Sequence, residues 1–106
     1  MKMEQKRLSE MNEQELRTEI QQCTEKMRKA EMNGIINEYG VYQRKILIAE
    51  SYLVDRDKVE IGKIYKLNDG TDDYFKVERL KGIFAWGFRI NSTEPEEGLP
   101  LALLNI

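Results

Sequence analysis

Residues 35–67 read IINEYGVYQRKILIAESYLVDRDKVEIGKIYKL, and the spacing of the apolar residues changes inside that stretch. Ile35, Tyr39, Tyr42, Ile46, Ala49 and Leu53 recur at alternating steps of four and three, which gathers side chains on one face of an α-helix. A second row, Ile36, Gln43 and Leu47, widens that face, and Gly40 in it leaves room for another backbone to approach. After Lys58 the apolar residues alternate with polar ones, except at Gly62 and Ile64, as in a lead-in turn followed by a strand. The polar run Asp55-Arg56-Asp57-Lys58 separates the two regimes, so a helical part spans residues 1–58 and a β part spans residues 59–106.

Upstream, the helical period is repeated. Asn12 can cap a first turn, with Glu15 in the reciprocal capping-box position and Met11 and Leu16 as a hydrophobic staple. Leu16, Ile20, Cys23, Met27 and Ala30 then form one narrow apolar stripe. Asn33-Gly34 suits a helix end, because both residues tolerate the left-handed conformation. The spacing predicts helices over about 13–32 and 35–54, antiparallel because the connection is so short. One helix pair cannot complete a core, so its spare apolar surface is expected to cover the β part or to meet a second copy as a homodimer through the hairpin.

Downstream, Asn68 to Asp73 has turn chemistry, and Tyr74 to Leu80 reads as a second strand. Lys81-Gly82 is a candidate two-residue hairpin loop. Ile83 to Ile90 is a third strand, with Phe84, Trp86, Phe88 and Ile90 on one face and Ala85, Gly87 and Arg89 on the other. Asn91 to Gly98 reads as an acidic loop, and Leu99 to Leu104 as the last strand. Short strands, tight turns and no crossover helix favour a small antiparallel barrel. The fold class is α+β: an N-terminal antiparallel helical hairpin followed by a small SH3-like antiparallel β-barrel.

Composition narrows the function. The chain has no histidine and one cysteine, Cys23, so imidazole chemistry, an internal disulfide and a multi-cysteine metal site are all excluded. A reducing, cytoplasmic compartment is expected. Eleven basic and eleven acidic residues precede Val59, and six and eight follow, so no basic excess of the kind duplex binders carry is present. No apolar stretch approaches the ~20 residues that cross a bilayer. Met1 to Arg7 lacks the apolar segment of a signal peptide, and none is expected.

Lys29-Ala30-Glu31, Asn33 to Glu38, Phe84-Ala85-Trp86-Gly87-Phe88-Arg89 and Glu96 to Pro100 together resemble the YfhH-like family of small uncharacterised bacterial proteins. The Phe-Ala-Trp-Gly-aromatic-Arg segment is the most specific part of a resemblance that covers nearly the whole chain. It implies a helical hairpin with an SH3-like barrel in a cytosolic bacterial protein. It implies no functional residues.

Candidate binding residues are Trp86, Arg89, Lys76 and Arg79. Phe84 and Phe88 read as barrel core, while Trp86 suits either core or surface, since tryptophan is seldom fully buried. Lys76, Arg79, Lys81 and Arg89 near aromatic residues form the kind of set that tracks a single strand through charge and stacking. Strict alternation, however, puts Lys76 and Arg79 on opposite faces with Glu78 beside them, which favours an ordinary solvated rim. A proline-rich-peptide groove is not expected, because the loop from Asn68 to Asp73 is short and lacks aromatic residues. Cys23 reads as a buried thiol. The carboxylates Asp69/Asp72/Asp73 and Glu94/Glu96/Glu97 read as turn and solubility residues rather than a calcium loop.

The leading expectation is a non-enzymatic protein-binding or adaptor module. The alternative is a nucleic-acid-associated protein whose small barrel contacts single-stranded DNA or RNA. An enzyme is not expected, since no nucleophile–base pair and no phosphate-binding glycine loop is present. No cofactor, metal or membrane partner is expected either. The facing stripes make a direct demand on stability. Ile20→Asp or Ile46→Asp should cost several kcal/mol by burying an unpaired carboxylate, and an unchanged thermal midpoint in either variant would show the helix faces to be misassigned.

Overall fold

The computed structural model describes residues 6–106, and the first five residues of the amino-terminal stretch read above lie outside them. Contacts divide the chain at Leu53/Val54 into two compact units. Asp55 to Lys58 therefore groups with the sheet. Among the described residues, no helix is long and apolar enough to cross a membrane.

The first unit holds a 3-10 turn, Leu8–Glu10, then α1, Glu13–Met32, and α2, Ile36–Leu53. The start of α1 is the expected capping box: Glu15 N donates to Asn12 Oδ1 at 2.8 Å, and Asn12 N donates to the Glu15 carboxylate at 3.1 Å. A cap of this kind contributes about 1 kcal/mol. The end is a Schellman motif. Gly34, at φ +68°, donates to Glu31 O at 3.2 Å, and Ile35 N donates to Ala30 O at 2.9 Å. Leu16, Cys23 and Ala30 are the buried residues of the α1 stripe, while Ala49 is buried on α2. Three of these four are small, which lets the helix axes approach. An ion pair, Lys45 Nζ to Glu19 Oε1 at 2.7 Å, ties the helices together. Cys23 is 2% exposed, and burial pushes its thiol pKa up, so it is a poor nucleophile. Towards the turn α2 leaves large apolar side chains in solvent, with Ile36 82% exposed.

The second unit holds a 3-10 turn, Arg56–Lys58, and four strands: β1, Ile64–Lys66; β2, Tyr74–Lys81; β3, Phe84–Arg89; β4, Glu97–Pro100. They form one antiparallel sheet in the order β1-β2-β3-β4. The sheet is not closed into a barrel. β4 forms no ladder with β1, and the expected strand from Leu99 to Leu104 stops at Pro100, which has no N–H for a ladder. The chain turns there into a 3-10 segment, Leu101–Leu103, with Leu101 N bonded to Ile83 O at 2.9 Å. Beyond it the chain returns to the edge of β1 through one isolated bridge, Leu67 to Leu104, flanked by Asn68 N to Leu103 O at 2.7 Å and Asn105 N to Lys66 O at 2.9 Å.

The β2–β3 hairpin turns on Gly82-Ile83, one residue later than expected, because Lys81 pairs with Phe84. Gly82, at φ +58°, takes the first loop position, as in a type II′ turn.

The core of this unit is Val59, Tyr65, Leu67, Phe75, Val77, Ala85, Leu99, Leu101 and Leu104. On β3 the core face is the one carrying Ala85 and Gly87, so Phe84 and Phe88 are not core residues. Phe84 is half-buried and Phe88 is 41% exposed, both on the opposite face. Volume explains the inversion. Phe75 and Val77 on β2 point into the same space as Ala85 and Gly87, and burying Phe75 fully is worth about 1.5–3 kcal/mol. Small residues opposite them make that possible.

Between Val77 and Arg79 the register slips. Val77 pairs with Gly87 but Arg79 pairs with Trp86, so Glu78 is the extra residue of a β-bulge. The bulge folds β2 backbone against Gly87, where an added Cβ would lie 1.8 Å from Lys76 O. Gly87→Ala should therefore destabilise the protein by at least about 3 kcal/mol, beyond ordinary overpacking, as read from urea unfolding. A midpoint close to wild type would mean that the bulge does not require glycine.

Candidate functional site: the outer face of the sheet

Cross-strand partners in an antiparallel sheet share a face. The pairs Ile64–Lys76, Lys66–Tyr74, Lys76–Phe88, Arg79–Trp86 and Lys81–Phe84 thus belong to one surface, opposite the core. Without the bulge, Lys76 and Arg79 would point to opposite faces, as alternation predicts. The extra residue at Glu78 restores Arg79 and Lys81 to the side of Lys76. Down β2 the outer face then reads Tyr74, Lys76, Arg79, Lys81, and down β3 alongside it reads Phe88, Trp86, Phe84. A cationic column lies beside an aromatic one.

The surface is open to solvent at one end, with Ile64 49% and Tyr74 48% exposed. Trp86 settles between core and surface: its ring is half-buried on the outer face, laid over Gly98 of β4. A Cβ on Gly98 would fall 2.7 Å from the Trp86 six-membered ring. On Trp86 rests the Arg79 guanidinium, its carbon 5.4 Å from the ring centre, which also pairs with Glu96 at 2.8 Å. Trp86 Nε1 is shielded from solvent with no hydrogen-bond partner among the described residues. Lys76 has only a long contact to Glu78, 3.8 Å, and Lys66 and Lys81 have no ion-pair partner among the described residues. Exposed pairs such as Arg79–Glu96 contribute at most about 1 kcal/mol and exchange readily for another anion.

Arg89 is not part of this surface. It pairs with Phe75, on the core side, and sits at the end of the sheet as the centre of an ionic cluster. It contacts Asp73 at 2.7 Å, Glu97 at 3.2 Å and Asp69 at 3.6 Å. The hydrogen bond to Glu97 is foremost in strengthening its charged form. Asp69 also accepts from the Thr71 hydroxyl and from Thr71 N, and the hydroxyl bond is the main reason its carboxyl lies below the usual aspartate range. Structure thus brings Trp86, Lys76 and Arg79 together and sets Arg89 apart. Sequence reading missed Tyr74, Lys66 and Ile64 as members of the face. It also missed the bulge, although Gly87 inside a strand is the usual sign of one. Among the described residues, no group of three or more metal-ligating side chains is placed to hold an ion.

The ionic cluster has a pH signature. A carboxyl whose folded pKa is depressed adds stability above its unfolded pKa, and that stability is lost as pH falls through the folded value. Urea midpoints should therefore drop on acidification below the usual aspartate range, and Thr71→Ala should make that acid limb shallower while leaving the neutral slope unchanged. An identical acid limb in the variant would remove the hydroxyl as its cause.

The chain resembles an uncharacterised protein, YfhH, of Bacillus subtilis (strain 168), at 46% identity over 99 residues, covering 93% of this chain and 94% of that protein. Residues 6–105 also match a family described as a protein of unknown function, DUF1811. Nearly the whole of both units, from the capping box of α1 to the bridge at Leu104, falls within that match, and the chain belongs to the DUF1811 family.

Proposed function

We propose that this protein is a non-enzymatic binding module of the bacterial cytoplasm, and that the outer face of its sheet is the working surface. The bulge at Glu78 carries this reading, because it collects three cations of β2 on the side where β3 shows its aromatic residues. Aromatic and arginine side chains on one patch are the residues that dominate recognition surfaces. They bind without chemistry, as an adaptor does. The single buried thiol suits a reducing interior. Reading the sheet as an SH3-like small barrel is supported by the return of the chain to β1 at Leu67–Leu104.

The test is retention of cell components on the immobilised full chain, with extract from a bacterium that carries this family. Lys81→Glu with Phe88→Ala changes two outer-face side chains and should leave stability within about 1 kcal/mol, since neither belongs to the core cluster. Retained material should disappear with that variant and persist with Ile36→Asp on α2. The reverse pattern would move the working surface to the hairpin and overturn the reading.

A further inference from the structure

We infer that the occupant of this face is a single-stranded nucleic acid, its phosphates on the β2 column and its bases against the β3 column. The inference rests on the outer face being the working surface and goes one step further, to the chemistry of the ligand. Three observations point the same way.

The first is charge placement. The β part as a whole carries six basic and eight acidic residues, yet the acids are not spread evenly. Asp69, Asp73 and Glu97 gather around Arg89 on the core side of the sheet end. Among the described residues, the outer-face cations Lys66, Lys76, Arg79 and Lys81 form ion pairs only with Glu78 of the bulge and Glu96 from the loop before β4. An overall deficit of positive charge therefore coexists with a locally cationic surface, and a polyanion responds to the local one.

The second is spacing. Side chains on one face of a strand repeat about every 7 Å, and β2 and β3 lie about 5 Å apart. A cationic column and an aromatic column at that separation match a chain whose charged backbone runs beside its flat bases. A peptide has no such regular anionic repeat. A duplex hides its bases and would use the lysines alone.

The third is the state of Trp86. Its ring is clamped between Gly98 and the Arg79 guanidinium, and Arg79 in turn is held by the Glu96 carboxylate. The guanidinium stands where a base would stack, and Glu96 stands where a phosphate would pair. A nucleotide substitutes for both, its base stacking on the ring in place of the cation–π contact and its phosphate pairing with Arg79 in place of Glu96. Glu96 thus acts as an internal competitor for the site, and removing its charge should strengthen binding.

The experiment uses the full chain and the fluorescence of its sole tryptophan, Trp86, titrated with a twelve-residue oligo-dT, the matching oligo-rU and a duplex of the same length. Wild type should bind both single strands more tightly than the duplex. Each phosphate paired on a single strand contributes a slope of about −0.7 in log K against log salt, so Lys76, Arg79 and Lys81 together predict about −2. Lys81→Ala should remove about 0.7 of that slope, while Arg44→Ala on α2, an equal loss of charge elsewhere, should leave it unchanged. Phe88→Ala should weaken binding roughly fivefold to a hundredfold with the slope unchanged, because stacking releases no counterions. Glu96→Gln should tighten it.

Silence towards both single strands at low salt would overturn the inference, as would equal binding of the duplex or a slope indifferent to Lys81→Ala. If the outer-face double variant still loses its retained material from extract while the oligonucleotides are silent, the face stands and its occupant is a protein. If that variant loses nothing, the face itself is wrong.

Discussion

The close approach of β2 backbone to Gly87 is the constraint on which the rest of the β unit depends. Only a residue without a Cβ leaves room there for Lys76 O, and the ladder slips at Glu78 just beyond that approach. A bulge re-aims every side chain that follows it on its strand. Here it returns Leu80 to the core side, opposite Ala85, and sends Arg79 and Lys81 outward to join Lys76. Without the bulge, Arg79 and Lys81 would turn to the core side and Leu80 to the outer one. One glycine thereby fixes both the filling of the core and the composition of the outer face.

The two faces of the sheet solve different problems. Inside, Phe75 and Val77 need volume, and β3 supplies it by presenting Ala85 and Gly87. This leaves the large aromatics of β3 no place but the other side. Half-burial of Phe84 and Trp86 against neighbours such as Gly98 recovers part of their hydrophobic free energy there. At the end of the sheet Arg89 gathers carboxylates from the β1–β2 turn and from β4, so that the acidic turn chemistry is neutralised away from the outer surface. Stability and a distinct surface charge come from the same partition.

The helical unit rests on simpler rules. A capping box opens α1, a Schellman motif closes it, and a stripe of small and medium apolar residues meets α2. The caps are local, with their partners within two helical turns, and the three-residue connection from Asn33 to Ile35 brings the two helices together. Helix stability of this kind comes mainly from the buried face, with the caps adding a smaller share.

Local physics is also what made part of the protein legible from sequence alone. The helix limits at 13–32, the break at Asn33-Gly34, the start of β2 at Tyr74 and the shared face of Phe84, Trp86 and Phe88 all follow from periodicities of two and 3.6 and from the conformational tolerance of asparagine and glycine. Three matters were decided only in tertiary structure. Alternation says which residues of β3 share a face but not which face is buried, since that depends on the bulk contributed by β2 and by Leu99 and Leu101. It cannot place an extra residue, so Lys76 and Arg79 read as opposed until the bulge brings them together. Nor can it separate Arg89 from the other cations, because the carboxylates that claim it come from segments distant along the chain. Sequence therefore determined the helices and the succession of short strands, while long-range volume and charge, which no local window contains, decided which side of the sheet is buried and which carries the cations.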